Sequence, residues 1–133
     1  MFFTFFISTL LLGTSVGEQL MAQVIVQKKL SSALSITKSQ PLVIVYCYTD
    51  RCIYCRHTKP LIEQLKQIYG SRISFVELNV SDNMPAFKHN FNASTVPLIM
   101  YFKNGNEVAR HGSDNKTITL ARMQSIIESQ LLS

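Results

Sequence analysis

The stretch Leu42 to Tyr48 (LVIVYCY) is apolar, β-branched or aromatic at every position, without the alternation of a strand that has one wet face. A run of that kind reads as a central strand covered on both sides. The rest of the chain must then supply neighbouring strands and two layers of helix. It does so within 133 residues, the length of one domain. Val24 to Val26 is a short first strand, and Ile73 to Val80 (ISFVELNV) and Leu98 to Lys103 are further strands. Asn104-Gly105 is a hairpin turn into a last strand at Glu107 to His111, which Gly112 breaks. Between them, residues 28–38, 52–69, 83–90 and 117–131 read as helices. The second carries Leu61, Ile62, Leu65, Ile68 and Tyr69 at helical spacing, with Pro60 inside it and Gly70 closing it. The last presents Leu120, Met123, Ile127 and Leu131 on one face. The order β-α-β-α-β-α-β-β-α predicts an α/β fold, a central mixed β-sheet flanked by helices on both faces.

The first 22 residues do not belong to that pattern. Phe2 to Leu12 (FFTFFISTLLL) is apolar and ends in small and polar residues, Gly13 to Gly17. It falls short of the roughly twenty apolar residues a spanning helix needs. Ser15 and Gly17 stand at the two positions a signal peptidase reads, so residues 1–22 are expected to be an export signal. No Lys or Arg precedes the run, which leaves a short uncleaved membrane anchor open. Residues 23–133 then form the domain proper, in a periplasmic or secreted setting where cysteines can be oxidised. An apolar content of 47% against 16% charged excludes a disordered chain. The net charge of +5 is dispersed, with no basic block or aromatic-interleaved stripe, so no nucleic-acid partner is expected.

Chemistry concentrates where the central strand hands over to the second helix, in Cys52-Ile53-Tyr54-Cys55. The first turn of a helix has free backbone N–H groups, and a thiolate placed there is stabilised by them and by the helix dipole. Arg51, Arg56 and His57 add positive charge, and Arg51 and Arg56 are the candidate thiolate-stabilising residues. Spacing of i, i+3 puts Cys55 on the same face, within reach of a disulfide with Cys52. Cys52, nearer the helix start, would attack, and Cys55, one turn in, would resolve the mixed disulfide.

These residues resemble the thioredoxin superfamily, and the likeness runs over about residues 24–132. An apolar strand precedes the cysteine pair, Pro60 follows the second cysteine at the family's distance, and Phe102-Lys103-Asn104-Gly105 matches the family's turn. Thr95-Val96-Pro97 resembles the cis-proline segment, with roughly one residue inserted before Pro97. The resemblance implies a thioredoxin fold and a cis Val96–Pro97 bond beside the cysteines. It also implies that Val96 pairs through its backbone with an extended substrate. Thr95, Val96 and Pro97, with Tyr54 at the rim, are therefore the candidate substrate-binding residues. The implied activity is protein thiol–disulfide exchange by a monomer, on cysteine-containing proteins and with a separate redox partner. No cofactor is implied beyond the Cys52–Cys55 pair.

The departures from the family are specific. Arg51 stands where the family has Trp, and Ile53-Tyr54 where it has Gly-Pro. Tyr46 replaces the family's buried carboxylate, and Glu77 aligns with the Lys that faces it. Glu77 is therefore expected to supply the missing acid–base group and take the proton of Cys55. The uncharged Ile53-Tyr54 favours a reductase or isomerase over a strong oxidant. Cys47, inside the apolar strand, reads as a small core residue. His89 and His111 read as solvated surface histidines. The alternative reading is a non-catalytic chaperone or metal carrier of the same fold, holding a ligand with Cys52 and Cys55. Cys52, Cys55 and His57 lack the second ligand pair of a closed zinc site, so no metal ligand is assigned.

Overall fold

A computed structural model describes residues 24–27, 30–112 and 118–133 of the chain. Among the described residues five strands form one sheet in the order β1-β3-β2-β4-β5. They are β1 (Val24–Gln27), β2 (Leu42–Tyr48), β3 (Ser74–Asn79), β4 (Leu98–Lys103) and β5 (Asn106–Gly112). β1 and β2 run parallel to β3, while β2–β4 and β4–β5 are antiparallel, so the sheet is mixed as its connections require. The helices are α1 (Leu30–Ser39), α2 (Ile53–Tyr69), α3 (Met84–Phe91) and α4 (Leu120–Ile126), the last continuing as a π-helical turn at Ile127–Leu131.

The unbroken apolar character of β2 follows from its place in the middle of the sheet. Ile44 and Tyr46 face a core shared with Ile62, Leu65 and Tyr69 of α2 and Met123, Ile127 and Leu131 at the C-terminal end. Val43, Val45 and Cys47 face the opposite core, shared with Leu30 and Ala33 of α1 and Phe87 and Phe91 of α3. One strand feeds both layers because successive side chains of a strand point to opposite faces. A strand with both faces covered has no position at which a polar residue would be wet.

The element order read from the sequence is the one observed, with ends moved by one or two residues and the start of the last helix by three. The first strand extends to Gln27, and the fourth helix is capped by the Thr119 hydroxyl, which accepts from the Arg122 N–H at 3.2 Å. The expected export signal at residues 1–22 and the expected helix start at Thr117 lie outside the described residues. Asn104 and Gly105 both have positive φ, +52° and +85°, which is the backbone a tight two-residue hairpin demands. No helix among the described residues is long and apolar enough to cross a membrane.

Candidate redox site

The site is built where β2 stops and α2 begins. Cys52 is the N-cap of α2, with extended φ and ψ of −82° and 111°. Its Sγ accepts a hydrogen bond from the Cys55 backbone N–H at 3.1 Å. A sulfur in that position takes one of the donors a helix start leaves open, and the helix dipole favours negative charge on it. Cys52 and Cys55 are joined as a disulfide with Cα atoms 5.2 Å apart. Cys52 is half-buried, whereas Cys55 is 5% exposed. An attacking sulfur must meet a partner and a resolving sulfur must not, and the two exposures match those assignments.

Beside the pair opens a cleft of about 400 Å³ lined by Tyr46, Tyr48, Asp50, Arg56 and Lys59 together with both cysteines. Tyr46 is buried and donates its hydroxyl to the Cys55 carbonyl at 3.0 Å. Burial, with the Glu77 charge adding to it, raises the Tyr46 phenol far above its ordinary range, so it stays a donor at any physiological pH.

Glu77 neighbours Tyr46 across the β2–β3 ladder and is 2% exposed. The carboxylate does not reach solvent at the strand end, its side chain being 3% exposed. Instead it is ion-paired with two lysines of α2. Lys59 Nζ is 2.5 Å from one carboxylate oxygen, and Lys66 Nζ bonds the other. Burial pushes the Glu77 carboxyl up, but hydrogen bonds and charge from the two lysines more than reverse this and hold it below the ordinary carboxylate value. The hydrogen bond to Glu77 holds Lys59 above its own ordinary value. Glu77 itself does not line the cleft beside the sulfurs, whereas Lys59 does.

Val96–Pro97 is a cis peptide bond, as the resemblance implied. Pro97 is buried and Val96 half-buried, packed against the cluster that includes Cys55 and touches Cys52. Thr95 is exposed and borders a second cavity of about 420 Å³, with Ser94, Arg110 and His111. Tyr54 is 49% exposed and Ile53 66%, at the rim between the cysteines. Arg51 and Arg56 are exposed and form no ion pair among the described residues.

Other expectations meet mixed outcomes. Cys47 is fully buried, and burial pushes its thiol up to about 12, which leaves it inert at neutral pH. His89 is exposed. His111 is not a solvated surface residue, because it is half-buried with a ring nitrogen 2.9 Å from the Tyr101 hydroxyl. Pairing with β4 places it opposite Ile99 and within reach of the Tyr101 hydroxyl. Among the described residues no group of three or more His, Cys, Asp or Glu side chains is arranged to hold a metal ion.

Three contributors escaped sequence reading. Lys59 and Lys66 carried a findable signal: a Glu inside an apolar strand needs a cation, and these lysines lie two turns apart on one face of α2. Gly112, read as a strand breaker, is the last residue of β5 and stands opposite Leu98. A Cβ there would lie 2.1 Å from the Pro97 carbonyl oxygen, so only glycine lets β5 close against the cis-proline. Nothing in the local sequence announces that approach.

A strand–Cys-x-x-Cys–helix unit with one accessible and one buried sulfur, packed against a cis-proline loop, defines a thiol–disulfide redox site. The sequence profile of the thioredoxin family matches residues 23–126, and the chain belongs to that family. It is 28% identical to a thioredoxin of Rickettsia bellii over 93 residues, 70% of this chain and 82% of that protein. It is 29% identical to a thioredoxin of Porphyra purpurea over 89 residues, 67% of this chain and 76% of that one. Among solved structures, oxidised thioredoxin O2 of Arabidopsis thaliana superposes with a TM-score of 0.68 at 22% identity, covering 81% of this chain and 94% of that one. Oxidised thioredoxin of Plasmodium falciparum gives 0.65 at 23% identity, covering 81% and 98%. The fold is the thioredoxin fold, and the chain is a thioredoxin-family redox protein with a Cys-x-x-Cys pair.

Proposed function

We propose that this protein is a thiol–disulfide oxidoreductase of the reductase or isomerase type, acting on cysteine-containing proteins that have been exported. The observation that carries the activity is the accessible Cys52 sulfur at the start of α2, with the Cys55 N–H aimed at it and the Cys55 sulfur behind. In the dithiol form the Cys52 thiolate attacks a substrate disulfide. One substrate sulfur leaves and takes up a proton, and the other joins Cys52 in a mixed disulfide. Cys55 gives its proton to water in the cleft and attacks Cys52 Sγ. The Cys52–Cys55 bond forms, the second substrate thiol departs, and two electrons have passed to the substrate. A separate thiol-bearing donor restores the dithiol.

Glu77 is assigned to the resolving step through Lys59 and not by direct contact. Both carboxylate oxygens are held by ammonium groups, and Lys59 is the member of the cluster that borders the sulfurs. A fixed ammonium there favours the Cys55 thiolate. Arg51 and Arg56 favour the Cys52 thiolate from outside. Thr95, Val96, Pro97 and Tyr54 form the substrate wall, with Val96 pairing to an extended segment. The apolar run at residues 2–12 supports an exported setting, with membrane attachment only if that segment is retained. The protein acts as a monomer.

The test is insulin reduction with a dithiol donor. Turnover lost by at least about a thousandfold in Cys52→Ser supports the assignment, since the attacking group is then gone. Turnover that persists in that variant, or a wild-type protein that is inert while binding zinc or copper stoichiometrically, overturns it.

A further inference from the structure

Most cations near the site are already matched to acids. Lys59 and Lys66 share Glu77 and Glu63, and Arg110 is engaged by Glu107, with one of its Nη–H groups 2.8 Å from the carboxylate. Arg51 and Arg56 are exposed and have no such partner among the described residues, although they immediately flank the cysteine pair. The acid beside them, Asp50, accepts from the Asn79 side-chain amide at 2.8 Å. Between the two arginines stand Ile53 and Tyr54, which with Ile68 are the large exposed apolar side chains of the described residues. The rim of the disulfide is thus an apolar knob bracketed by two uncommitted guanidinium groups.

Resting on the redox reading above, we propose that Arg51 and Arg56 select substrates whose disulfide is flanked by acidic residues, with an apolar side chain laid on Ile53 and Tyr54. A guanidinium without an internal carboxylate keeps its donors for a partner and steers an oppositely charged segment to the sulfur. Long side chains on an exposed surface give modest individual attractions. Two acting together, read between oppositely charged substrates, amount to about tenfold in rate. The same attraction slows the release of an acidic product, so the preference is read in a single turnover, before release.

The experiment uses a self-quenched fluorescent peptide disulfide in three versions that differ only in the flanks of the cysteine: Asp/Glu, Asn/Gln or Lys/Arg. Single-turnover reduction by excess dithiol protein is expected to be fastest for the acidic version and about tenfold slower for the basic one at low ionic strength. The span should shrink to within about twofold above 0.5 M salt, where charges several ångströms apart are screened. It should shrink equally in the Arg51→Gln/Arg56→Gln double variant. Loss of thiolate stabilisation slows all three peptides alike in that variant, so the ratio, not the absolute rate, reports on selection. Equal rates for the three peptides with wild-type protein, or a preference for the basic one, overturn the proposal and leave the redox reading standing. Reduction of none of them overturns the redox reading, and the proposal falls with it.

Discussion

The two sides of the Cys52–Cys55 bond are built on opposite plans. On the inner side Glu77 and Tyr46 are buried, Lys66 is nearly so, and every polar group named there has its partner within the chain. On the outer side Arg51, Ile53, Tyr54 and Arg56 are exposed and commit no charge internally. Buried ions without partners are costly, so the inner side has no freedom to recruit anything from outside. Exposed cations cost little whether paired or not, so the outer side is free to be shaped by what it meets. Substitutions inside should therefore change stability and the resolving step, and substitutions outside should change partner choice at constant stability.

The largest effect that could break this division is expected at Glu77. Glu77→Gln keeps the shape but leaves Lys66 short of its main counter-charge, which should destabilise the fold by about 3 kcal/mol at pH 7. The sign of the pH dependence follows from the depressed carboxyl. Because the folded protein holds this group ionised more tightly than the unfolded chain, the contribution is fully present above the ordinary carboxylate value of 4.5 and fades as pH falls through the lower, folded value. Denaturant titrations of wild type and variant should thus differ most near neutrality and draw together as pH falls below the ordinary carboxylate range. In the same variant mixed disulfides should accumulate, because Cys55 resolves slowly while the attack of Cys52 is little changed. A gap in stability that stays constant with pH would mean the ion pairs are not its source.

Tyr46→Phe is the next smaller cut on the inner side. It deletes one hydroxyl and leaves the Cys55 carbonyl without its 3.0 Å donor. The net loss of one buried hydrogen bond to a helix carbonyl costs about 1 kcal/mol. Thermal unfolding of the oxidised protein should shift down by several degrees, while the relative rates on acidic and basic peptides stay as in wild type. A change in that ratio would show that the inner and outer sides communicate.

The division also explains what the sequence made legible. The fold was readable because β2 advertises its double burial in every residue, and helix and turn spacings leave little choice for the rest. Cys52 and Cys55 were readable because position, the start of a helix after a buried strand, does most of the chemistry. The cis Val96–Pro97 bond was readable only through the resemblance, since no local pattern requires it. The lysine clamp on Glu77 is a tertiary fact: it joins residues 11 and 18 positions apart through helix packing, which linear spacing does not record. Gly112 is harder still, because what demands it is the Pro97 carbonyl of a neighbouring strand's approach. His111 was misjudged for a related reason, its surroundings being set by β4 and not by its own polar sequence.

The smallest expected change in stability lies at the apolar knob, where it gives the sharpest contrast with Glu77. Ile53 is 66% exposed at the first position of α2 and Tyr54 49% exposed beside it, so neither holds the core. Replacing both, Ile53→Ser with Tyr54→Ser, should move the unfolding free energy by no more than about 0.5 kcal/mol per site, the ordinary range for surface positions. What should fall is the rate on a folded protein disulfide such as insulin, by about fivefold. Two apolar side chains that would be half-covered by a docked substrate then contribute nothing. A variant that kept its insulin rate would leave the arginines as the working part of the rim. A variant that unfolded several degrees earlier would show the knob to be part of the structure, and the separation between the two sides of the bond would be lost.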